Sequence, residues 1–248
     1  TEYEGETALK AEAHYWIGES WYNLKQYDKA LRYYNLFATM PGAFRSGLFK
    51  TTLYNAGYAH FQQKDYEKAS IEFRKFLRDP GQADAKMRAD AAIRTGDCFF
   101  IRKLYDQAIT FYDQGIQFNA MDQDYAYYQK SLALGVLDRT QEKIESLQLI
   151  LSRFPRSPYR DDAMYELGST YLQVNQNELA MRTFRQVTQE YQGSGFDKKS
   201  LMKIGLLQFN AGLDDQALVT LKKVVNDYPG TPESMEALTL IRNIYVEI

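Results

Sequence analysis

From Leu9 onward the apolar positions recur at steps of three and four residues, and they hold that period almost to the end of the chain. This is the spacing of one face of an α-helix. Residues 1–8, with one Gly and three Glu, read as a loose lead-in. A first helix is predicted over roughly 9–24, a turn at Lys25-Gln26, and a second helix from about Tyr27 to Met40, stopped by Pro41-Gly42. The next pair leads up to Phe61, turns near Lys64, carries Tyr66 to Leu77 and ends at Asp79-Pro80-Gly81. A third pair runs from Ala89 to Ile101, turns at Lys103 and continues from Tyr105 to Phe118.

A fixed frame underlies these pairs. Gly18 is followed twelve residues later by Ala30, and the same spacing returns at Gly57 and Ala69, Gly96 and Ala108, Gly168 and Ala180, and Gly205 and Ala217. The first three anchors are 39 residues apart. The fourth pair is degenerate. Tyr125 to Leu137 reads as a helix, Asp138-Arg139-Thr140 as a turn and Glu142 to Phe154 as the second helix. Counting back from Pro155 puts Leu132 at the Gly site and Ile144 at the Ala site, with Gly135 out of frame. The fifth pair opens at Ser157-Pro158 and turns at Asn175, and the sixth turns at Gly212 and closes at Tyr228-Pro229-Gly230. Thr231-Pro232 then opens one more helix, through about Tyr245. Expected repeats are thus 9–42, 48–81, 87–120, 124–156, 158–192 and 197–230, with a half repeat at 231–248.

Two antiparallel helices approach closely only where their facing side chains are small, so Gly and Ala are read as the contact within each hairpin. Four residues after each Ala stands a large apolar group, Tyr34, Phe73, Tyr112, Phe184 or Leu221, expected to fill the gap to the next hairpin. The residue seven after each anchor is Lys25, Lys64, Lys103, Asn175 or Gly212, placed for a left-handed turn. With its small residues, aromatics and closing Pro, this pattern resembles the tetratricopeptide repeat. The resemblance covers about Leu9 to Tyr245; the departures are the 39-residue period, against about 34 in that family, and the broken fourth unit. It implies an all-α protein, a single right-handed α-α superhelix of about six helical hairpins plus a terminal helix, with the first helix of each pair lining a concave side.

Composition fits a helical array: 45% hydrophobic and 25% charged residues, with 20 Tyr and 14 Phe. A net charge of −2 without a basic stripe argues against nucleic acid. No apolar run approaches the roughly 18–20 residues that span a bilayer. The chain opens on Thr1 rather than Met, which points to a processed or excised piece. The single cysteine, Cys98, rules out an internal disulfide. The joints Phe154-Pro155-Arg156-Ser157-Pro158-Tyr159 and Tyr228-Pro229-Gly230-Thr231-Pro232 are each a helix stop followed by an N-cap and a Pro at the first helical position. They are similar to joints in bacterial envelope repeat proteins of the Tol-Pal accessory and barrel-assembly lipoprotein type. That resemblance implies a periplasmic or cell-envelope adaptor, the cytoplasm being the alternative.

Groove-facing positions follow from the offsets to the anchor Gly. Three before it stand Tyr15, Tyr54 and Tyr165; one after it Glu19, Tyr58 and Asp97; four after it Tyr22 and Phe61; five after it Asn23, Gln62, Gln173 and Asn210. Tyr offers large contact area, and an amide can pair with both the N–H and the C=O of an extended peptide. The competing reading packs the residues at the fourth offset against the next hairpin and leaves the amides as solvated helix ends. The carboxylate clamp of chaperone-tail binders is absent, since Tyr15 and Glu19, or Tyr54 and Tyr58, stand where it needs Lys and Asn. No catalytic, cofactor or metal constellation is present in the pattern: His14 and His60 lie in different repeats, and Cys98 sits inside a helix beside Phe99 and Phe100. The reading is therefore a non-catalytic scaffold binding a peptide or protein segment in its groove. The alternatives are a self-assembly or spacer module using its ends, above all the apolar half repeat with Leu238, Leu240, Ile241, Ile244, Tyr245 and Ile248, or a carbohydrate-binding aromatic groove.

Overall fold

The computed structural model describes residues 2–81 and 83–247. Among them the chain forms thirteen α-helices, one short 3-10 turn at Ala43–Arg45 and no strand. It divides into two compact units, residues 1–139 and 140–248. The first holds α1 (Glu2–Asn23), α2 (Tyr27–Thr39), α3 (Leu48–Gln62), α4 (Tyr66–Arg78), α5 (Ala85–Ile101), α6 (Tyr105–Gln117) and α7 (Gln123–Val136). The second holds α8 (Thr140–Arg153), α9 (Arg160–Gln173), α10 (Asn177–Glu190), α11 (Gly195–Asn210), α12 (Asp214–Asp227) and α13 (Pro232–Glu247). In each unit the helices pair in sequence, α1 with α2 or α9 with α10, and the second member of a pair also packs on the first helix of the next. The expected loose lead-in is a correction: residues 2–8 continue α1 as helix. Residue 248, part of the predicted apolar end, lies outside the described residues.

The second helices carry the core on one repeated triplet. Ala30-Tyr34-Phe37, Ala69-Phe73-Phe76, Ala180-Phe184-Val187 and Ala217-Leu221-Val224 stand at steps of four and three, which stack side chains on one helix face, and all twelve are buried. Burying each large member contributes roughly 1.5–3 kcal/mol. The partner of the anchor Gly differs from the expectation. A methyl group built on Gly57 would lie 2.7 Å from the ring of Phe73, and one on Gly168 2.8 Å from that of Phe184. The glycine thus makes room for the large residue of its own hairpin, whose ring lies flat on the bare backbone. The Ala four residues earlier only keeps the helices close.

Each hairpin turns through a left-handed residue seven after its anchor, Lys25, Lys64, Lys103 and Asn175 among them. Two backbone bonds close the first: Gln26 N–H to the Trp21 carbonyl at 2.9 Å and Lys25 N–H to that of Tyr22 at 2.8 Å. This double bond to the last helical turn is the usual way to satisfy orphan carbonyls. It resets the register of the fourth pair. Asp138 has φ of 55°, which makes Ser131 the anchor and places Lys143, rather than Ile144, at the Ala site. Lys143-Leu147-Ile150 then continues the buried triplet. Counting back from Pro155 misplaced the frame by one residue, because the joint there has a different length. A buried Lys at a small-residue site is tolerated because its Nζ donates to Glu166 Oε2 at 2.9 Å.

The C-terminal half repeat is less bare than expected. Ile244 is buried with Ala237, Leu221 and Val224, and Leu240 and Ile241 pack half-buried against the same cluster. A first helix needs only the preceding second helix to cover this side, and α12 provides it. Leu238 and Tyr245 stay exposed.

Candidate functional site

In the first unit the expected groove residues form a hydrogen-bonded layer. Tyr54 and Tyr58 of α3 both donate to Asp90 Oδ2 of α5, at 2.7 and 2.5 Å, with their rings edge to face at 5.1 Å. One helical turn on, Arg94 donates from Nη1 to Asp97 Oδ2 at 2.5 Å and lies over the ring of Tyr125, 5.1 Å from its centroid. The other oxygen of Asp97 accepts from Tyr112 at 2.9 Å and Tyr125 at 3.0 Å. The first hairpin repeats the device: Glu19 Oε1 accepts from the Tyr34 hydroxyl and from Asn55 Nδ2, and Asn55 also donates to the Tyr15 hydroxyl at 3.0 Å.

A rule emerges. Where the large residue on the anchor Gly is Tyr, the position after the Gly is acidic, Glu19 for Tyr34 and Asp97 for Tyr112. A buried phenol needs an acceptor, and this offset is within its reach. Glu19 and Asp97 are thus held by the fold rather than offered to a ligand. Tyr15 and Asp97 are buried, 4% and 6% exposed, against the expectation of groove exposure. Tyr54, Tyr58 and Tyr165 are half-buried; Tyr22 and Phe61 pack edge to face on Tyr27 and Tyr66. Asn23, Gln62, Gln173 and Asn210 are exposed. Asn55, Asp90, Arg94 and Tyr125 complete the layer and were missed. The acidic residue six before the anchor and the polar ones two before it were the available signal.

Burial, with the nearby carboxylates second, lifts these phenols. Tyr15 is pushed up to about 12. Tyr54, Tyr58, Tyr112 and Tyr125 are held above their ordinary 10.0 by burial and then by Asp90 or Asp97. A raised folded value stabilises fully below the unfolded pKa and is lost as pH rises through the folded one. Unfolding of the first unit is therefore expected above pH 10, with these phenols ionising together with loss of helix. Ultraviolet absorbance and circular dichroism followed together check it. Ionisation near the ordinary value with helix intact would contradict it.

The second unit holds an open cleft of about 1070 Å³ along α10 and the C-terminal ends of α9 and α11. Leu172, Met181 and Leu207 line it with apolar surface. Around them stand the amides of Asn175, Asn177, Gln186, Gln189 and Asn210, with Arg182 and Arg185 one helical turn apart on α10. Both arginines are exposed, and neither forms an ion pair among the described residues. Glu190, at one end, is instead engaged by Gln186 at 2.7 Å and Arg160 at 3.6 Å. Of the expected groove residues, Asn210 lines this cleft. The sequence placed the amide but not the arginines, which sit on a second helix and outside the offsets considered.

Elsewhere Cys98 is buried, and burial pushes its thiol up to about 12, leaving it inert. No group of three His, Cys, Asp or Glu among the described residues is arranged to hold a metal ion. No described helix is long and apolar enough to cross a membrane.

Family models described as tetratricopeptide repeat match residues 12–39, 162–194 and 199–231 in one case and 54–124 in another, together more than half of the chain. The interval they leave holds the fourth pair, where Ser131 and Lys143 replace the small frame residues. A curated relative, outer membrane protein assembly factor BamD of Rickettsia prowazekii (strain Madrid E), is 25% identical over 217 residues, covering 77% of this chain and 85% of that protein. Among solved structures, the C-terminal part of a TPR repeat-containing protein from Cytophaga hutchinsonii superposes with a TM-score of 0.72 at 14% identity, over 96% of this chain and 92% of that one. The MamA protein gives 0.60 at 21%, over 75% and 98%. YrrB, described as a TPR protein with an unusual peptide-binding site, gives 0.58 at 17%, over 76% and 91%. At these identities the structural likenesses establish the fold.

Proposed function

We propose a protein-interaction role from one premise: the chain belongs to the tetratricopeptide repeat family. It acts as a non-catalytic scaffold that takes an extended segment of a partner protein into the α9–α10–α11 cleft. The observation that carries this is the pairing, in one cleft, of an apolar floor with the unengaged amides of Asn175, Asn177, Gln189 and Asn210 and two unpaired guanidiniums. Amides satisfy the backbone of an extended strand at both N–H and C=O. The arginines select carboxylates, which they can grip in bidentate fashion. The partner segment is thus acidic, with an apolar side chain for Leu172, Met181 and Leu207. The hydrogen-bonded layer of the first unit has its donors and acceptors engaged within the fold. Being similar to an outer membrane protein assembly factor favours work in a bacterial cell envelope.

The test is peptide selection on the intact chain from a random library, followed by fluorescence anisotropy. Selected peptides are expected to be acidic. Arg182→Glu with Arg185→Glu is expected to weaken them at least tenfold, roughly 1.4 kcal/mol or more, with unchanged circular dichroism because both side chains are exposed. Unaltered affinity in that variant, or selection of basic peptides, would overturn the assignment.

A further inference from the structure

A smaller cleft lies wholly within the first unit. It holds about 360 Å³ between α4 and α6 and is lined by Arg74, Leu77, Arg78, Phe111 and Gln114. That is the small end of the range for ligand pockets, roughly 300–1,000 Å³. Its aromatic wall is a stack: the Phe111 ring of α6 lies on Phe99 of α5 at 5.4 Å and 20°. Phe99 is buried, with the Arg74 guanidinium 6.0 Å from its centroid and that of Arg102 at 5.9 Å. Arg74 is thus seated on an aromatic ring, and Arg78 stands one helical turn on, roughly 6 Å along α4. Arg102 also reaches Glu67, at 3.8 Å. Arg74 and Arg78 are exposed, and neither has a carboxylate partner among the described residues.

Stacking one hairpin on the next does not require these residues. At the same offsets in the α10–α12 joint, Gln208, Thr220 and Lys223 stand where this joint has Phe99, Phe111 and Gln114. Thr220 there simply donates to Gln208 at 2.7 Å. Gln189 replaces Arg78, and only the Arg74 site is again arginine, as Arg185. Two neighbouring guanidiniums beside a half-buried ring complement an anionic group next to a flat apolar one. Guanidiniums grip carboxylates in bidentate fashion, and aromatic rings favour offset or edge contacts with one another. We propose that the α4–α6 groove is a second recognition site, for a short acidic segment of a partner protein that carries an aromatic side chain. The ring lies against Phe111 and Leu77, neighbouring Asp or Glu side chains meet Arg74 and Arg78, and the Gln114 amide pairs with the segment's backbone. The groove admits one large side chain and its immediate neighbours, a shorter motif than the cleft of about 1070 Å³ along α10 takes.

The larger cleft dominates selection on the intact chain, so peptides are selected on the chain carrying Arg182→Glu and Arg185→Glu. They are expected to pair an aromatic residue with adjacent Asp or Glu. Adding Arg74→Glu and Arg78→Glu is expected to weaken them at least tenfold in fluorescence anisotropy, with an unchanged helical spectrum because both side chains are exposed. Adding instead Arg32→Glu and Lys86→Glu, the same change in net charge at exposed positions that do not line the groove, is expected to leave affinity within twofold. Hydrogen exchange with bound peptide is expected to show added protection on α4 and α6. Selection without acidic aromatic peptides, equal losses for the two charge reversals, or protection confined to other helices would each overturn the proposal. None of these outcomes bears on the α10 cleft, which is disabled in every chain compared.

Discussion

Replacing Phe184 with Ala is expected to destabilise the second unit by roughly 3–5 kcal/mol. The ring is fully buried, lies against the backbone of Gly168 and packs 5.8 Å from the ring of Tyr165. Nothing nearby can collapse into the vacated volume, because a glycine faces it and both helices are held by their neighbours. In a repeat array stability is a sum of local and nearest-neighbour contributions, so the loss falls first on α9 and α10. Urea unfolding followed by helix-resolved hydrogen exchange measures it. The converse substitution has an informative sign. Ala is the better helix former by about 1 kcal/mol, yet Gly168→Ala forces a methyl group to 2.8 Å from the Phe184 ring. Overpacking of this kind costs about 1–3 kcal/mol, and the net effect is expected to be destabilising. A stabilised Gly168→Ala chain would refute the anchor role assigned to glycine.

Asp97→Ala is expected to cost the first unit about 3 kcal/mol, the low end of the range for breaking a buried ion pair. The low end applies because Arg94 is 22% exposed in its side chain and keeps Asp90 at 3.4 Å. Three groups lose an acceptor at once: Arg94, Tyr112 and Tyr125. Burial raises the Asp97 carboxyl above its usual range, against the pull of Arg94 and the two phenols. Asp97→Asn is expected to cost less, since its Oδ1 still accepts from both tyrosines. Combining Asp97→Ala with Tyr112→Phe should recover part of the loss, as one orphaned hydroxyl is removed. Denaturant titration of the three variants reads the order. Equal losses for Ala and Asn would assign the stability to charge alone.

The fold was largely legible because its signal recurs. A Gly at 18, 57 and 96 with an Ala twelve later fixes hairpin, turn and packing together, and the left-handed Lys25, Lys64 and Lys103 stand at the predicted offset. The fourth pair escaped for a physical reason. Its frame residues are Ser131 and Lys143, and Lys143 fits only because Glu166, more than twenty residues on, receives its charge. No local pattern announces such compensation. The candidate site was less legible. Offsets identify which residues share a face, but not whether a hydroxyl or carboxylate is already satisfied. Tyr15, Glu19 and Asp97 stand at groove offsets and are engaged by the fold, whereas Arg182 and Arg185 stand outside them and are unengaged. One such distinction could have been drawn from sequence: the acid after the glycine accompanies Tyr34 and Tyr112 but not Phe73, Phe184 or Leu221.

The scaffold reading is tested most directly by hydrogen–deuterium exchange on the intact chain with and without a selected acidic peptide. Added protection is expected along α10 and at the C-terminal ends of α9 and α11, lost in the Arg182→Glu, Arg185→Glu chain. Protection centred instead on α3 and α5, around Tyr54 and Tyr58, with α10 unchanged, would contradict it.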